Sequence, residues 1–221
     1  MRRTEACSPP DGDAASIEAT EHQRRVWDQR AGTYNRSMGL IEKLLFGNGR
    51  AWVCSQASGD VLEVATGTGR NLPFYPERTR LTGIDLSSEM LAIARRRSTA
   101  LGREVDLHLG DAQVLPFPDA AFDTVVCTFA ICSIPDDDKA IAEMKRVLRP
   151  RGQLLLLDHV PSSSRLLRDI QWLVEQVTRR LGGEHLLRRP LECVHAQGFE
   201  IQSAKRSKAG IVERVSARKR A

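Results

Sequence analysis

The chain is sparing with cysteine, and the few it has follow no bridging pattern. Cys7, Cys54, Cys127, Cys132 and Cys193 are odd in number and contain no C-x-x-C pair. That argues against a disulfide framework and gives no zinc-ligand spacing, so a reducing cytoplasm is the expected compartment and no metal is expected. A long apolar run is also missing. The longest, Val125 to Ile134, falls far short of the roughly 18–20 residues that cross a bilayer. The opening MRRTEACSPPDGDAAS has two arginines but no apolar stretch behind them, so no signal peptide is expected. Aromatics make up only 5% and neither sign of charge dominates: 33 basic against 28 acidic residues give +5. With 41% hydrophobic residues in 221, the composition suits one globular domain with additions and not a disordered chain. The expectation is a soluble protein, at most attached to a membrane surface.

What charge there is lies unevenly. Residues 149–221 carry a net +8 and residues 1–148 a net −3. A basic surplus permits an anionic partner without demanding one.

Residues 1–20, with Ser8-Pro9-Pro10-Asp11-Gly12, read as a mobile tail. Residues 21–54 read as an N-terminal cap. There Val26, Leu40, Ile41, Leu44 and Leu45 recur at helical spacing, and Gly32, Gly39 and Gly47 are expected to break the cap into short helices. From 55 to 160 the pattern alternates. Apolar strands are expected at 61–65, 81–85, 105–109, 122–131 and 153–157, with helices at 87–101 and 136–148 between them. Strands alternating with helices at this spacing mean βαβ units and a mostly parallel sheet. The fourth strand is almost wholly apolar, as a strand covered on both faces should be. In 161–198, a helix over 165–181 gathers Leu166, Leu167, Ile170, Leu173, Val174, Val177 and Leu181 into one stripe. It reads as a lid whose apolar face meets the core or a greasy substrate, with attachment to a membrane surface as the lesser reading. Two last strands within 199–221, joined by a short turn, must be antiparallel. The fold class expected is α/β: a Rossmann-like, doubly wound, seven-stranded sheet with an antiparallel C-terminal strand.

The first βα turn reads Glu63-Val64-Ala65-Thr66-Gly67-Thr68-Gly69-Arg70-Asn71. Glycines there let a ligand approach the backbone at a helix start. A dinucleotide fingerprint needs a third glycine, and Leu72 stands in its place. An acid inside the strand ahead of G-x-G suits a cationic ligand better, and S-adenosylmethionine carries a sulfonium and an amino group.

Four ordered blocks now resemble the class I S-adenosylmethionine-dependent methyltransferases, in the branch of quinone-biosynthesis methyltransferases. They are VLEVATGTGRN at 61–71, GIDLSSEML at 83–91, GDAQVLPFPDAAFDTVV at 110–126, and EMKRVLRP with Gly152 at 143–152. One departure is Ala65, where the family more often has glycine. The resemblance implies S-adenosyl-L-methionine as cofactor. It places Asp85 and the adjoining Leu86 at the ribose, where two carboxylate oxygens suit a vicinal diol; the plainer role for Asp85 is a helix N-cap. Asp111 should face the adenine amino group with Ala112 offering its N–H, unless Asp111 is only a turn residue. Gly67 and Gly69, with Ala65 before them, should line the methionine part. Glu63 orders the loop or faces the amino group, and Thr128 reaches the amino-acid moiety. Tyr34 covers the cofactor or packs the N-terminal helices.

The methyl acceptor is less legible. Strand four exits as Cys127-Thr128-Phe129-Ala130, not the Asn/Asp-Pro-Pro-Tyr of enzymes that methylate base amines, so nucleic acid is not the expected substrate. This exit, with Leu157-Asp158-His159-Val160, resembles alkyl-thiol methyltransferases and also bacterial phosphatidylethanolamine N-methyltransferases. A small, rather apolar acceptor is expected, a thiol slightly ahead of a quinone, phospholipid or other O-, N- or C-acceptor; a non-catalytic cofactor-binding protein is the remaining alternative. His159 is the candidate base and Asp158 its orienting partner; otherwise they tie down a loop. Cys127 and Cys132 read as small buried hydrophobes.

Overall fold

The computed structural model describes residues 13–41, 47–182 and 185–221. In chain order these form α1 (Asp13–Ile41), α2 (Gly49–Cys54), β1 (Asp60–Val64), β2 (Arg80–Asp85), α3 (Ser88–Leu101), β3 (Asp106–Leu109), β4 (Phe122–Thr128), α4 (Asp137–Val147), β5 (Leu148–His159), α5 (Arg165–Gly182), α6 (Pro190–Ala196), β6 (Glu200–Ser207) and β7 (Val212–Arg218). The strands make one seven-stranded sheet in the order β3-β2-β1-β4-β5-β7-β6. The first five are parallel, and β7 runs antiparallel to both β5 and β6. The order reverses between β1 and β4. At such a switch point the loops leave on opposite faces and open a crevice at the carboxyl ends of the strands.

The core sits on both faces of the sheet. On one side Leu62, Val64, Val125, Cys127, Leu154 and Leu156 pack against Ile141, Met144 and Val147 of α4 and against Val194. On the other, Val61, Val126, Leu155 and Leu157 pack against Val53 and Cys54 of α2. Alternate strand residues feed the two sides, so the central strands are apolar throughout.

The helix starts follow their caps. Ser87 accepts from the Met90 N–H at 3.1 Å to start α3, and Asp136 accepts from the Lys139 N–H at 2.9 Å to start α4. The third and fourth sequence blocks are bound to each other. The Glu143 carboxylate accepts from the Leu115 N–H at 2.8 Å and pairs with Arg146, which also donates to the carbonyls of Leu115 and Phe117. Arg149 bridges Asp60 and Asp123 beneath β1 and β4.

Four elements differ from expectation. β5 runs from Leu148 through Gly152 to His159, well beyond the expected 153–157. α1 is one helix of 29 residues, not a set of short ones, and it includes residues 13–20 of the expected tail. Gly32 and Gly39 do not break it. Their outer sides face open space, and the docked inner face of the helix offsets the roughly 1 kcal/mol that each mid-helix glycine costs. Residues 1–12, Leu44, Leu45 and Gly183 lie outside the described residues. β4 stops at Thr128, short of Ile131, because Phe129 turns out with φ +53° while its N–H still bonds to the Leu157 carbonyl at 2.7 Å. The apolar stripe of α5 does not meet the core: Leu166, Ile170, Leu173, Val174 and Val177 are exposed.

Candidate active site

The crevice at the switch point holds an open cleft lined from the exits of β1, β2, β3 and β4, the place where doubly wound sheets bind their ligands. Its floor is the β1 turn, Ala65 to Thr68 with Arg70. One wall is the β2 exit at Asp85 and Leu86, and another is Gly110 to Ala112 after β3. The far wall is Thr128 to Ala130 with Ser133, Ile134 and Pro135, and α1 covers the top with Gln23, Trp27 and Tyr34. The ten cofactor-site residues expected from sequence were Tyr34, Glu63, Ala65, Gly67, Gly69, Asp85, Leu86, Asp111, Ala112 and Thr128. Of these, all but Glu63 and Gly69 line this one cleft.

Gly67 and Gly69 divide their labour. Both take positive φ, +57° and +72°. A Cβ on Gly67 would meet nothing within 4 Å, so the backbone there is open to a ligand. A Cβ on Gly69 would strike Leu72 at 2.9 Å and Ala94 at 3.3 Å. Gly69 therefore permits close packing of α3 behind the loop, which is why it is absent from the lining. Ala65 also has positive φ, +55°. That explains physically why glycine is the commoner residue in the family's pattern: Ala65 carries a left-handed strain that glycine would not.

Asp85 is buried beneath the loop. One oxygen accepts from the Gly67 N–H at 2.7 Å, the other from the Ser87 N–H at 2.9 Å. The cap of α3 is Ser87, so Asp85 is not consumed as an N-cap. Burial lifts its carboxyl to about 6, against the pull of those N–H donors. A carboxylate keeps lone pairs beyond two bonds, enough for a diol. Asp111 is held by Gln113, through its backbone N–H at 2.9 Å and its side-chain amide at 2.9 and 3.0 Å. The helix α1 is latched across the opening. Ser87 donates to Asp28 at 2.6 Å, Thr68 donates to Asn35 at 2.7 Å, and Gln113 donates to Thr20 at 3.0 Å. Tyr34 stands edge-on to Trp27 with centroids 5.9 Å apart, so it packs within α1 and lines the cleft at once.

The network at the base of the cleft was only partly legible. Asn71, wholly buried, donates to Glu63 at 2.8 Å and to Thr128 at 3.0 Å. Arg50, from α2, donates to Asn71 at 2.8 Å and Thr128 at 2.9 Å, and its guanidinium lies 4.9 Å from the Phe129 ring centroid. Glu63 thus orders the loop, and Thr128 is an acceptor from both. Burial lifts the Glu63 carboxyl to about 7, with Tyr75, Arg50 and Asn71 pulling the other way. Arg50 lines the cleft and carries a charge that matches a carboxylate. It escaped sequence reading because an isolated arginine in a helix of six residues has no motif around it.

Asp158 and His159 lie behind the far wall and are absent from the cleft lining. One Asp158 oxygen accepts from the Ile131 N–H at 2.9 Å; the other accepts from the His159 N–H at 2.8 Å and meets the His159 Nδ1 at 2.9 Å. Burial disfavours the charged ring, yet Cys132 and Asp158 beside it hold its pKa well above the ordinary value. Cys132, Asp158 and His159 bring one potential ligand atom each within 4.8 Å of one another; one Asp158 oxygen holds the loop at Ile131 and the other holds His159 itself. Cys127 is buried with its thiol pushed well up by desolvation, a hydrophobe and not a nucleophile. Arg188 is a second residue that sequence reading missed. Its guanidinium donates to the carbonyls of Ile131, Ile134 and Pro135, three consecutive anchors of the far wall.

Comparison with known proteins agrees with this geometry. Residues 62–156 match the model of a methyltransferase domain. The chain is 45% identical over 103 residues to a phosphatidylethanolamine N-methyltransferase of Cereibacter sphaeroides, covering 46% of this chain and 51% of the relative. It is 32% identical over 183 residues to the ubiquinone/menaquinone biosynthesis C-methyltransferase UbiE of Bordetella avium, covering 79% and 70%. The chain thus spans about half the length of the first relative and more of the second. A solved S-adenosylmethionine-dependent methyltransferase from Thermotoga maritima shares the fold, with a TM-score of 0.69 at 19% identity over 90% of this chain and 100% of that one. An acidic β2 exit and an open glycine turn on one cleft fit S-adenosyl-L-methionine, and the chain belongs to the class I S-adenosylmethionine-dependent methyltransferases, in their quinone-biosynthesis branch.

Proposed function

We propose that this methyltransferase acts on a small, apolar, lipid-like acceptor, a quinol or an aminophospholipid. The observation that carries this reading is the far wall. Phe129, Ala130, Ile134 and Pro135 make it mainly apolar, its polar members Thr128 and Ser133 carry no charge, and both lining carboxylates, Asp85 and Asp111, lie across β1 at the exits of β2 and β3. The likeness to a quinone C-methyltransferase and a phosphatidylethanolamine N-methyltransferase points the same way.

In this reading Asp85 holds the ribose of the cofactor, Asp111 and Ala112 the adenine, and Gly67 and Arg50 the methionine end. When bound, S-adenosyl-L-methionine supplies an electrophilic methyl group. The chain's own contribution is positioning and exclusion of water: the 129–135 wall presents the acceptor in line, and α1 closes the top. Asp158 and His159, assigned from sequence to proton handling, become positioning residues that fix the wall through Ile131. A thiol remains the second reading, favoured because no histidine or carboxylate among the described lining residues stands at that wall. A thiol needs no base, since a pKa near 8.5 leaves some thiolate at neutral pH.

Incubation with methyl-labelled cofactor and a panel of reduced quinone, phosphatidylethanolamine and alkyl thiol tests this. Label in the quinone or phospholipid is the expected result. Label in the thiol alone replaces the first reading with the second, and label in none of the three rejects both.

A further inference from the structure

The helix α5 is mounted inside out. Its polar residues face the body of the protein. Gln171 accepts from the Ser162 N–H at 2.7 Å and donates to the Val160 carbonyl at 3.1 Å; Arg168 donates to the Ser162 carbonyl at 3.3 Å; Glu175, 6% exposed, lies 3.7 Å from His185. Its apolar residues face outward. Leu166, Ile170, Leu173, Val174 and Val177 are 45–70% exposed, and at 100° per residue they fall within one arc of about 100°. A water-facing stripe of five large aliphatic residues is unfavourable unless something covers it.

The charge around the stripe says what that cover is. Arg165 opens the helix and is exposed. The β6–β7 turn is tied to the helix start, where Ser162 and Ser163 both donate to the Ala209 carbonyl, and exposed Lys208 precedes that residue. Of the two acids of α5, Glu175 is turned inward and Asp169 alone is exposed. The region from 149 onward holds the chain's whole positive surplus. An aliphatic stripe rimmed by arginine and lysine matches the boundary between acyl chains and anionic headgroups. No described helix is long and apolar enough to cross a membrane.

We propose that α5 seats the protein on an anionic phospholipid bilayer, lying in the surface with its aliphatic stripe among the acyl chains. The placement serves the cleft. Just beyond α5, the His185 N–H bonds to the Cys132 carbonyl at 2.8 Å and Arg188 grips Ile131, Ile134 and Pro135. Through His185, 3.7 Å from Glu175, the helix is coupled to the wall that presents the acceptor, and the proposed docking brings that wall to the bilayer in which the acceptor resides. That last step rests on the lipid-like acceptor proposed above; the docking itself does not.

The test is co-sedimentation of the full chain with vesicles of phosphatidylcholine and phosphatidylglycerol in equal parts, against phosphatidylcholine alone. Wild type should sediment with the mixed vesicles, less so as salt rises. The double variant Ile170→Asp with Leu173→Asp should lose at least about tenfold in partitioning. Its affinity for S-adenosyl-L-methionine by calorimetry should be unchanged, which shows that the fold is intact. Arg165→Glu with Lys208→Glu should weaken binding to the mixed vesicles and leave the weak binding to phosphatidylcholine as it was. Equal sedimentation of wild type and the aspartate variant overturns the proposal. So does a wild type that ignores vesicles but dimerises, with the aspartate variant monomeric; the stripe is then a contact between copies. Methyl transfer to detergent-dispersed acceptor is measured separately. Transfer without vesicle binding rejects the docking and keeps the acceptor class, and vesicle binding without transfer does the reverse.

Discussion

Two buried carboxylates and one alanine carry the residue-scale chemistry. Glu63 has a folded pKa of about 7 against an ordinary 4.5. A raised pKa means that the folded state holds the proton more tightly. Its contribution to stability is therefore complete below pH 4.5 and is lost as pH rises through 7. At about 1.4 kcal/mol per unit, full ionisation costs roughly 3 kcal/mol. Glu63→Gln keeps an oxygen for Asn71 and removes the titration. Urea unfolding from pH 5 to 8 should show wild type losing stability against the variant by an amount of that order; parallel profiles would mean that Glu63 ionises normally. Asp85 predicts the opposite trend for binding. Its carboxyl, lifted to about 6, presents both oxygens purely as acceptors only when ionised, the form that the proposed contact with the ribose hydroxyls needs. Affinity for S-adenosyl-L-methionine should rise as pH passes upward through 6, and Asp85→Asn should lose that limb and weaken binding by a few kcal/mol, read by calorimetry. Ala65, at φ +55°, should be improved by glycine. Ala65→Gly relieves the left-handed strain at the cost of some chain entropy, a net gain of about 0.5–1 kcal/mol in thermal unfolding. The place of Asp85 and Asp111 on the cleft was legible in sequence because one ends β2 and the other follows β3 by two residues, each inside a recognisable block. Arg50 and Arg188 were not, since their partners lie 78 and 57 residues away along the chain and only the fold brings them together.

At the scale of elements, the far wall is a loop that depends on neighbours for its shape. It leaves β4 through the positive-φ Phe129, and three outside groups hold its backbone: Asp158 at Ile131, the His185 N–H at Cys132, and Arg188 at three carbonyls. Charge-assisted bonds to a side chain with little exposure are worth about 1.5–3 kcal/mol each when formed well. Arg188→Ala should therefore cost about 2–4 kcal/mol of stability and raise the acceptor KM far more than it changes the Kd for S-adenosyl-L-methionine. An equal effect on both would show that Arg188 supports the whole cleft and not the wall. The same element shows where period-based reading stops. Alternating apolar residues extended β4 to Ile131, but a strand ends where the backbone turns, and Phe129 gave no sign of its φ. The stripe of α5 was correctly found and wrongly faced. Periodicity identifies an apolar face; it does not say whether protein or lipid covers it. α1 was misread for a related reason, since glycine propensity is a local preference that docking along a whole helix overrides.

For the molecule as a whole, the sheet is the rigid part and the cleft is roofed by a helix that crosses it from outside. The parallel sense of the first five strands followed from the alternation of strands and helices, and the antiparallel pairing of β6 with β7 followed from the short turn between them. The roof did not, because α1 touches the body through scattered polar contacts: Thr20 to Asp111 and Gln113, Asp28 to Ser87, Asn35 to Thr68. Those partners belong to the segments that line the cleft: Thr68 in the glycine turn, Ser87 after Asp85, Gln113 after Asp111. Any ligand that orders these segments also orders the surface on which α1 rests. Binding to the folded state alone stabilises it by about 2.7 kcal/mol when the ligand is at a hundred times its Kd. The excess protection should reach beyond the lining to α1. Hydrogen exchange with and without S-adenosyl-L-methionine should slow amides across residues 20–35 together with those of the glycine turn. In Asp28→Ala, which unlatches the roof from Ser87, the glycine turn should keep its protection while α1 loses most of its own. Protection confined to the turn in wild type would mean that α1 is an independent helix and that the cleft has no roof coupled to its cofactor.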